Sequence, residues 1–141
     1  MIATLVADQL SKLIVSHYLY IGQSIPLWTG VLHLTYTENP GAAFGIFANR
    51  APLFIAVTLL VAILVLALHV VMPSQAKLIH FFGGLTLGGA LGNALDRVRL
   101  GRVIDFIDFR IWPVFNLADI AIILGVGMLA WYFVSTVKEK G

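Results

Sequence analysis

Three aspartates stand in an otherwise apolar part of this sequence, near its C-terminal end. The stretch VIDFIDFRIWPVFNLADIAII, residues 103–123, contains Asp105, Asp108 and Asp119. Two carboxyl groups held close together cannot both ionise easily, so one keeps a proton while the other can take a proton from water. Such a pair is suited to general acid–base chemistry on a carbonyl group. The elements that carry these acids decide which of them could pair.

Asp119 is the first candidate, because it lies within an apolar segment with no basic residue one helical turn away. An isolated acid in such a place is expected to be functional. Asn116, three residues earlier, lies on the same helical face and fits a helix cap, whereas capping does not explain an acid one turn inside the helix. For the second acid of a pair, three loop residues compete: Asp96, Asp105 and Asp108.

Composition identifies the environment of these acids as a membrane. The chain has 141 residues, of which 60% are hydrophobic and 11% charged, and its mean hydropathy is +0.95. These values are far from those of ordinary soluble domains and leave room for one compact helical unit, a single domain over residues 1–141. The absence of cysteine excludes a thiol nucleophile and thiolate metal sites. The few scattered basic residues give no reason to expect nucleic-acid binding.

Four segments are predicted to cross the bilayer, which requires about 20 apolar residues each. They are residues 2–21, 51–72, 78–95 and 115–137. Between the first two, LHLTYT (residues 32–37) alternates apolar with polar or aromatic residues and is followed by a turn at Asn39-Pro40-Gly41. The prediction is an all-α integral membrane protein of four transmembrane helices, with a small β-like platform between helices 1 and 2. The second long loop, residues 96–113, is expected on the same side.

Polar and small residues also recur at helical spacing inside the predicted spans. Asp8 and Lys12 are four residues apart on one face, which suits either a functional group inside the bundle or a neutralised structural pair. Gly84, Gly88 and Gly92 form a ridge that favours close helix packing over phosphate binding. Beyond this ridge an amide, an acid and a guanidinium leave the helix on one side: Asn93, Asp96 and Arg97.

The remaining candidates favour structural roles. The four histidines, His17, His33, His69 and His80, are dispersed along the sequence and show no zinc-binding spacing. Five aromatic residues near span ends fit an interfacial belt: Trp28, Tyr36, Trp112, Trp131 and Tyr132. No metal or other cofactor is therefore expected.

Taken together, the motifs resemble those of the bacterial lipoprotein signal peptidases, also called type II signal peptidases. The matching segments are DQLSK (8–12), NPGAAFG (39–45), GGALGNALDR (88–97), GRVIDF (101–106) and FNLADIAI (115–122). They occur in the order typical of the family and extend from the first span to the last. The resemblance implies an aspartic endopeptidase that removes the signal peptide from prolipoproteins, just before a cysteine that carries a diacylglyceryl group.

The resemblance also assigns roles to particular residues. It implies that Asp105 and Asp119 are the catalytic acids, and it is the resemblance alone that selects Asp105 over Asp108. Asp108 is then expected to be a surface partner of Arg110 or Arg102. Active-site or substrate-binding support is implied for Asn39, Asn93, Asp96, Arg97 and Asn116, with Asp8 and Lys12 as further polar positions. The expected partners are lipid-modified prolipoproteins and membrane lipids, and the expected state is a monomer.

The distribution of basic residues and the family resemblance predict opposite orientations of the protein in the membrane. The side with the termini and the 73–77 connector holds three basic residues, whereas the loop side holds five arginines. The positive-inside rule would place the arginine side in the cytoplasm. The resemblance implies the opposite: both termini in the cytoplasm and the active site near the outer face of the bacterial inner membrane. Family members also commonly have more residues ahead of the DQLSK motif, so we expect a shortened N-terminus.

A small proton-coupled membrane transporter or assembly subunit is the alternative. Intramembrane acids and an Asp–Lys pair are also typical of proton relays. Such a protein would be expected to show internal repeats, but the first and second helix pairs share no motif.

Overall fold

The computed structural model describes residues 1–41, 49–73 and 76–140, with side chains up to residue 136. In chain order its elements are α1 (Ile2–Tyr18), β1 (Ser24–Trp28), β2 (Leu32–Asn39), α2 (Ala51–Val71), α3 (Lys77–Leu100), β3 (Val103–Asp108) and α4 (Leu117–Lys140). Within the described residues, α2, α3 and α4 are long and apolar enough to cross a membrane. The prediction of a mostly helical protein is confirmed, and three of its described helices have the length and composition of membrane spans.

The helix bounds differ from the predicted spans at the loop ends. Helix α1 ends at Tyr18 rather than residue 21, because Gly22 adopts a left-handed φ of 88° and its N–H donates to the Tyr36 carbonyl, which draws the chain into the sheet. Helix α3 continues past residue 95 to Leu100 and is ended by Gly101, at φ 72°. Its last turns therefore carry polar residues that were predicted to lie in a loop.

The expectation of an all-α protein is wrong in one respect, because three strands form a small sheet. The order is β1-β2-β3, with both pairs antiparallel. The β-like platform before Asn39 is confirmed, but its third strand comes from the second long loop. The sequence VIDFID supplies the β-branched and aromatic residues that strands favour. Pairing of β2 with β3 confirms that both long loops lie on the same side.

Two predicted features fall partly outside the described residues. Of the NPGAAFG motif, the structure describes Asn39, Pro40 and Gly41, whereas residues 42–45 lie outside. Of the connector at 73–77, residues 74–75 lie outside.

A small apolar core joins the sheet to the first helix. Val15 and Leu19 pack with Tyr36, Ile104 and Phe106 from strands β2 and β3. Tyr36 is only 7% exposed, so its assignment to an interfacial aromatic belt is wrong. Tyr36 lies in the middle of β2 and points toward the core. The alternation of apolar and polar residues in the sequence did not show which face of the strand would be buried.

The glycine ridge of α3 allows a close helix approach, as predicted, and the helix that packs there is α1. A Cβ added at Gly88 would lie 2.6 Å from the Met1 carbonyl oxygen and 2.8 Å from the Thr4 Cβ. Gly84 faces Met1 and Gly92 faces Asp8 in the same way. Small residues thus let the two helix backbones approach closely enough for their polar side chains to meet.

Another close approach, at Gly89, predicts a specific loss of stability. A Cβ at Gly89 would lie 2.5 Å from the Ala118 carbonyl oxygen of α4. Gly89→Ala is therefore expected to push α3 and α4 apart and to cost about 1–3 kcal/mol in the free energy of unfolding. The measurement is thermal unfolding in detergent. Gly127→Ala is the matched control, because a Cβ there meets nothing within 4 Å. Equal melting temperatures for the two variants would contradict this packing.

Candidate active site

The start of α4 is fixed by a reciprocal cap between Asn116 and Asp119. The Asn116 Oδ1 accepts the Asp119 N–H at 2.9 Å, and the Asp119 Oδ2 accepts the Asn116 N–H at 3.3 Å. Helix α4 accordingly begins at Leu117, two residues later than the predicted start at 115. The expectation that capping does not explain Asp119 is wrong, because this acid lies in the first turn and takes part in the cap.

Asn116 also bonds Asp105, the acid that lies in strand β3. Its Nδ2 donates to the Asp105 Oδ1 at 2.7 Å and to the Ile104 carbonyl at 3.2 Å. Asn39, at the end of β2, donates from its Nδ2 to the Asp105 Oδ2 at 3.1 Å. One asparagine therefore bonds both Asp105 and Asp119, and brings the strand acid and the helix acid together.

The environment of Asp105 favours its protonated form. The side chain is 2% exposed. Burial, and then the negative charge of Asp119, raises the pKa of Asp105 to about 7, against the hydrogen bonds from Asn39 and Asn116 and the charge of Lys12. Burial and the neighbouring charge thus favour the protonated form of Asp105, as expected for one member of an acid pair that shares a proton.

Asp108 lies on the opposite face of β3, as the extended backbone requires. Its Oδ2 accepts the Thr35 hydroxyl at 2.8 Å and the Arg110 Nη1 at 3.0 Å. Although burial acts to raise it, these hydrogen bonds and the Arg110 N–H lower the pKa of Asp108. The pairing with Arg110 is as expected, but the surface position is wrong, because Asp108 is only 5% exposed. Thr35 on the neighbouring strand supplies the polar partner that makes burial possible.

Asn93 of α3 links the acids to a charged group behind them. Its Oδ1 accepts the Lys12 Nζ at 2.9 Å and the Asn116 Nδ2 at 3.1 Å. Its Nδ2 donates to the Asp119 Oδ1 at 2.8 Å. Because Lys12 can only donate, it fixes the orientation of the Asn93 amide and so directs the Asn93 Nδ2 toward Asp119.

Lys12, Asp8 and Asp96 form a buried charged cluster. The Lys12 Nζ lies 2.9 Å from the Asp8 Oδ2 and 2.8 Å from the Asp96 Oδ2, and no member is more than 3% exposed. The cluster connects several elements, since Asp8 accepts the Ala118 N–H at 3.0 Å and Asp96 accepts the Ile104 N–H at 3.2 Å. This geometry favours a structural pair for Asp8 and Lys12, extended by Asp96, that supports the acids through Asn93.

A cavity of about 450 Å³ opens beside the two acids. Its polar end is formed by the side chains of Asn39, Asn93, Arg97, Asp105 and Asp119. The rest of its wall is mostly apolar and comes from several elements, with the largest shares from α2, α4 and the segment 112–115, including Val57, Val61, Ile122 and Val126. The cavity thus combines a polar end with an apolar groove between helices.

Arg97 is held at the rim of this cavity. Its Nη2 donates to the Gly41 carbonyl at 3.0 Å, and its guanidinium lies 4.2 Å from the centre of the Phe54 ring. The guanidinium therefore links α3 to the end of β2 and to α2.

Sequence reasoning missed two contributors to the site. Gln9 donates from its Nε2 to Asp8, to the Gly92 carbonyl and to Asp96, at 3.0–3.2 Å. Its place in DQLSK, directly after Asp8, was the available signal. Phe54 carried no signal, because its contact with Arg97 depends on the packing of α2. Among the described residues, no three His, Cys, Asp or Glu side chains are grouped to hold a metal ion.

Comparisons with known proteins identify the family of this chain. Residues 1–135 match the family model described as signal peptidase (SPase) II. The chain is 48% identical to the lipoprotein signal peptidase of Moorella thermoacetica, over 97% of this chain and 91% of that protein. It is 46% identical to the lipoprotein signal peptidase of Halothermothrix orenii, over 89% and 86% of the two chains.

Two solved structures have the same fold. Both are described as bacterial membrane enzymes studied by the in meso method, at 2.3 and 1.9 Å resolution. Their TM-scores are 0.92 and 0.84, at 29% and 30% sequence identity. The matches cover 99% and 94% of this chain and 88% of each of the others. With the family model and the relatives, they show that this chain belongs to the signal peptidase II family, the membrane aspartic peptidases that remove signal peptides from prolipoproteins.

Proposed function

We propose that Asp105 and Asp119 are the catalytic dyad of this peptidase. The observation that carries the proposal is that Asn116 donates to both acids, from its Nδ2 to Asp105 and from its backbone N–H to Asp119, at the polar end of the cavity. Asn39 and Asn93 support the two acids from the other side. The family assignment favours this hydrolytic function over proton-coupled transport.

The dyad would work with one shared proton. Asp105 carries the proton, and ionised Asp119 takes a proton from a water molecule as the water attacks the scissile carbonyl. Asp105 then donates its proton to the carbonyl oxygen. When the tetrahedral intermediate collapses, the proton held by Asp119 passes to the leaving amine, and Asp105 regains a proton from a hydroxyl group of the intermediate, which restores the dyad. The two carboxyl groups make all of these proton transfers, so the proposed mechanism requires no cofactor.

The substrate would lie along the cavity, with the scissile bond at its polar end. The bond cut is the one before the diacylglyceryl-modified cysteine. The apolar groove between α2 and α4 suits acyl chains or the apolar part of a signal peptide, which would remain in contact with membrane lipids. Asn39 and Arg97, at the polar end, are placed to hold substrate carbonyl groups.

The proposed topology has four spans: α1 in addition to α2, α3 and α4. Helix α1 buries Asp8, Lys12 and Val15 and exposes apolar side chains on its outer surface: Ile2, Val6, Leu10, Leu13 and Ile14. Its 17 residues span about 25 Å, slightly less than a hydrocarbon core of about 30 Å. Because all members of the proposed site come from one chain, a monomer formed by a single domain over residues 1–141 is sufficient.

The proposed orientation places the sheet and dyad at the outer face of the bacterial inner membrane. Arginines at this end have local roles that account for the conflict with the positive-inside rule. Arg97 bonds the Gly41 carbonyl, Arg102 pairs with Glu38 at 3.2 Å and Arg110 pairs with Asp108 at 3.0 Å. These three arginines therefore lie at the proposed outer face because the site and the sheet require them there, against the positive-inside rule.

The dyad predicts a specific dependence of the reaction on pH. Because the pKa of Asp105 is raised to about 7, Asp105 keeps its proton below this pH and loses it above. The value of kcat/KM should therefore fall on the alkaline side, with a midpoint near pH 7 and a slope of about tenfold per pH unit. The measurement is the cleavage rate of a lipid-modified precursor from pH 5 to 9.

The variant Asn39→Ala tests the direction in which the alkaline limb of this pH profile moves. Asn39→Ala removes a hydrogen bond that favours ionised Asp105. The pKa of Asp105 should then rise further, and the alkaline limb should move to higher pH whatever happens to the maximal rate. A profile that stays flat to pH 9, or a limb that moves to lower pH in Asn39→Ala, would contradict Asp105 as the proton-carrying acid.

A further inference from the structure

Two histidines 11 residues apart, on either side of the connector between α2 and α3, meet at the end of the helices remote from the dyad. His69 lies in the last turn of α2 and His80 in the first turn of α3. Their Nδ1 atoms are 3.0 Å apart, and the ring centroids are separated by 4.5 Å. His80 lies 13 residues before Asn93, which corresponds to about 20 Å along the helix. The sequence expectation that the histidines are dispersed is wrong for this pair.

The hydrogen bonds define which nitrogen of His80 carries a hydrogen. The His80 Nε2 lies 3.1 Å from the Pro73 carbonyl oxygen, which can only accept, so Nε2 must be the donor. In the neutral ring the Nδ1 of His80 then presents a lone pair, which points toward His69. A carbonyl that binds the outer N–H of an imidazole is the usual partner of a metal-binding histidine.

We propose that His69 and His80 form a two-histidine site for a divalent transition metal, with Cu²⁺ bound more tightly than Zn²⁺. Two imidazole nitrogens that bind one ion at about 2.0–2.1 Å are separated by about 2.9–3.4 Å at angles from square-planar to tetrahedral. The observed 3.0 Å lies in this range. When the metal binds, the hydrogen that lies between the two Nδ1 atoms moves through solvent to the Nε2 of His69, so that both Nδ1 lone pairs bind the ion and water completes its coordination.

The position of this site gives it a mechanical consequence. Helix α2 buries only Thr58, yet several of its side chains line the cavity beside the dyad, including Phe54, Val57 and Val61. A metal bound by both histidines links the end of α2 to the start of α3 and so fixes this wall of the cavity. Metal binding by the two histidines does not depend on which residues are catalytic, so either proposal can fail without the other.

The test is calorimetric titration of the purified full chain, free of any histidine tag, with CuCl₂ and with ZnCl₂ in a non-chelating buffer. His69→Gln and His80→Gln should each weaken Cu²⁺ binding by about tenfold or more, because each leaves a single ligand. His17→Gln is the matched control, since it removes an exposed histidine from the last turn of α1 and should bind as the wild type does. Equal affinity in the wild type and either pair variant would overturn the site.

If a variant folds poorly, spectroscopy of the wild-type protein with bound Cu²⁺ still tests the site. The electron paramagnetic resonance spectrum of wild-type protein with one equivalent of Cu²⁺ should show coupling to two imidazole nitrogens. Coupling to one nitrogen, or the spectrum of free Cu²⁺, would overturn the proposal. Added metal should also raise the melting temperature of the wild type and of His17→Gln, but not that of His69→Gln or His80→Gln.

Discussion

Replacing Asp105 or Asp119 by asparagine is expected to leave a diacylglyceryl-modified precursor essentially uncut. Each change removes one of the two carboxyl groups that transfer protons and should lower kcat by about 10²–10⁴-fold, while KM changes little. Because the two acids act as a unit, the double variant should be hardly slower than either single variant. The measurement is single-turnover cleavage by purified protein in detergent or lipid, with the products separated on a gel.

Asp108→Asn is the matched control for these variants. Asp108 lies three residues from Asp105 in the same strand and is also buried, but its partners are Thr35 and Arg110. This variant should cut the precursor at close to the wild-type rate. A catalytic defect as large as that of Asp105→Asn, in a folded protein, would show that the loop acid of the dyad has been assigned wrongly. Independent, multiplicative losses from Asp105→Asn and Asp119→Asn would contradict a shared proton.

Lys12→Met is expected to give the largest loss of stability. It leaves Asp8 and Asp96 buried without the cation that now lies 2.8–2.9 Å from each. Removing one partner of a buried ion pair costs about 3–5 kcal/mol in the free energy of unfolding, which corresponds to a drop of at least about 10 °C in Tm. The measurement is thermal unfolding in detergent, with the exposed Lys77→Met as the control that should stay close to the wild type.

A compensating variant separates charge from packing in this cluster. Combining Lys12→Met with Asp8→Asn and Asp96→Asn removes all three charges. Each asparagine keeps an oxygen that can accept the backbone N–H now bound there, from Ala118 and Ile104. The triple variant should therefore melt at a higher temperature than Lys12→Met alone. The account would be wrong if Lys12→Met melts at the same temperature as the wild type. It would also be wrong if the triple variant melts no higher than Lys12→Met, because removing the unpaired charges would then restore no stability.

Much of this site could be predicted from helical spacing. The four-residue separation of Asp8 and Lys12 predicted their pairing, and the glycine ridge of α3 predicted the close approach of a neighbouring helix. These are relations within one helix or along one face, where the period of 3.6 residues fixes geometry. The membrane class followed in the same way from composition, because a bilayer imposes its own length and polarity on every span.

Relations between distant segments could not be predicted in this way. The role of Asn116 in joining Asp105 to Asp119 depends on a strand and a helix start whose mutual position is set by the sheet. The burial of Asp108 depends on the register of β3 against β2, which places Thr35 within reach of its carboxylate. The choice of Asp105 over Asp108 required either the family resemblance or the observed faces of β3.

The most direct test of the central claim is a comparison of two precursors that differ only in the diacylglyceryl group on the cysteine. Each is incubated with the wild type and with the Asp105→Asn/Asp119→Asn double variant, and the new N-terminus is identified by mass spectrometry. The account predicts cleavage before the cysteine by the wild type only, and only when the cysteine is lipidated. Cleavage by the double variant at the wild-type rate, or no cleavage of either precursor by the wild type, would contradict it.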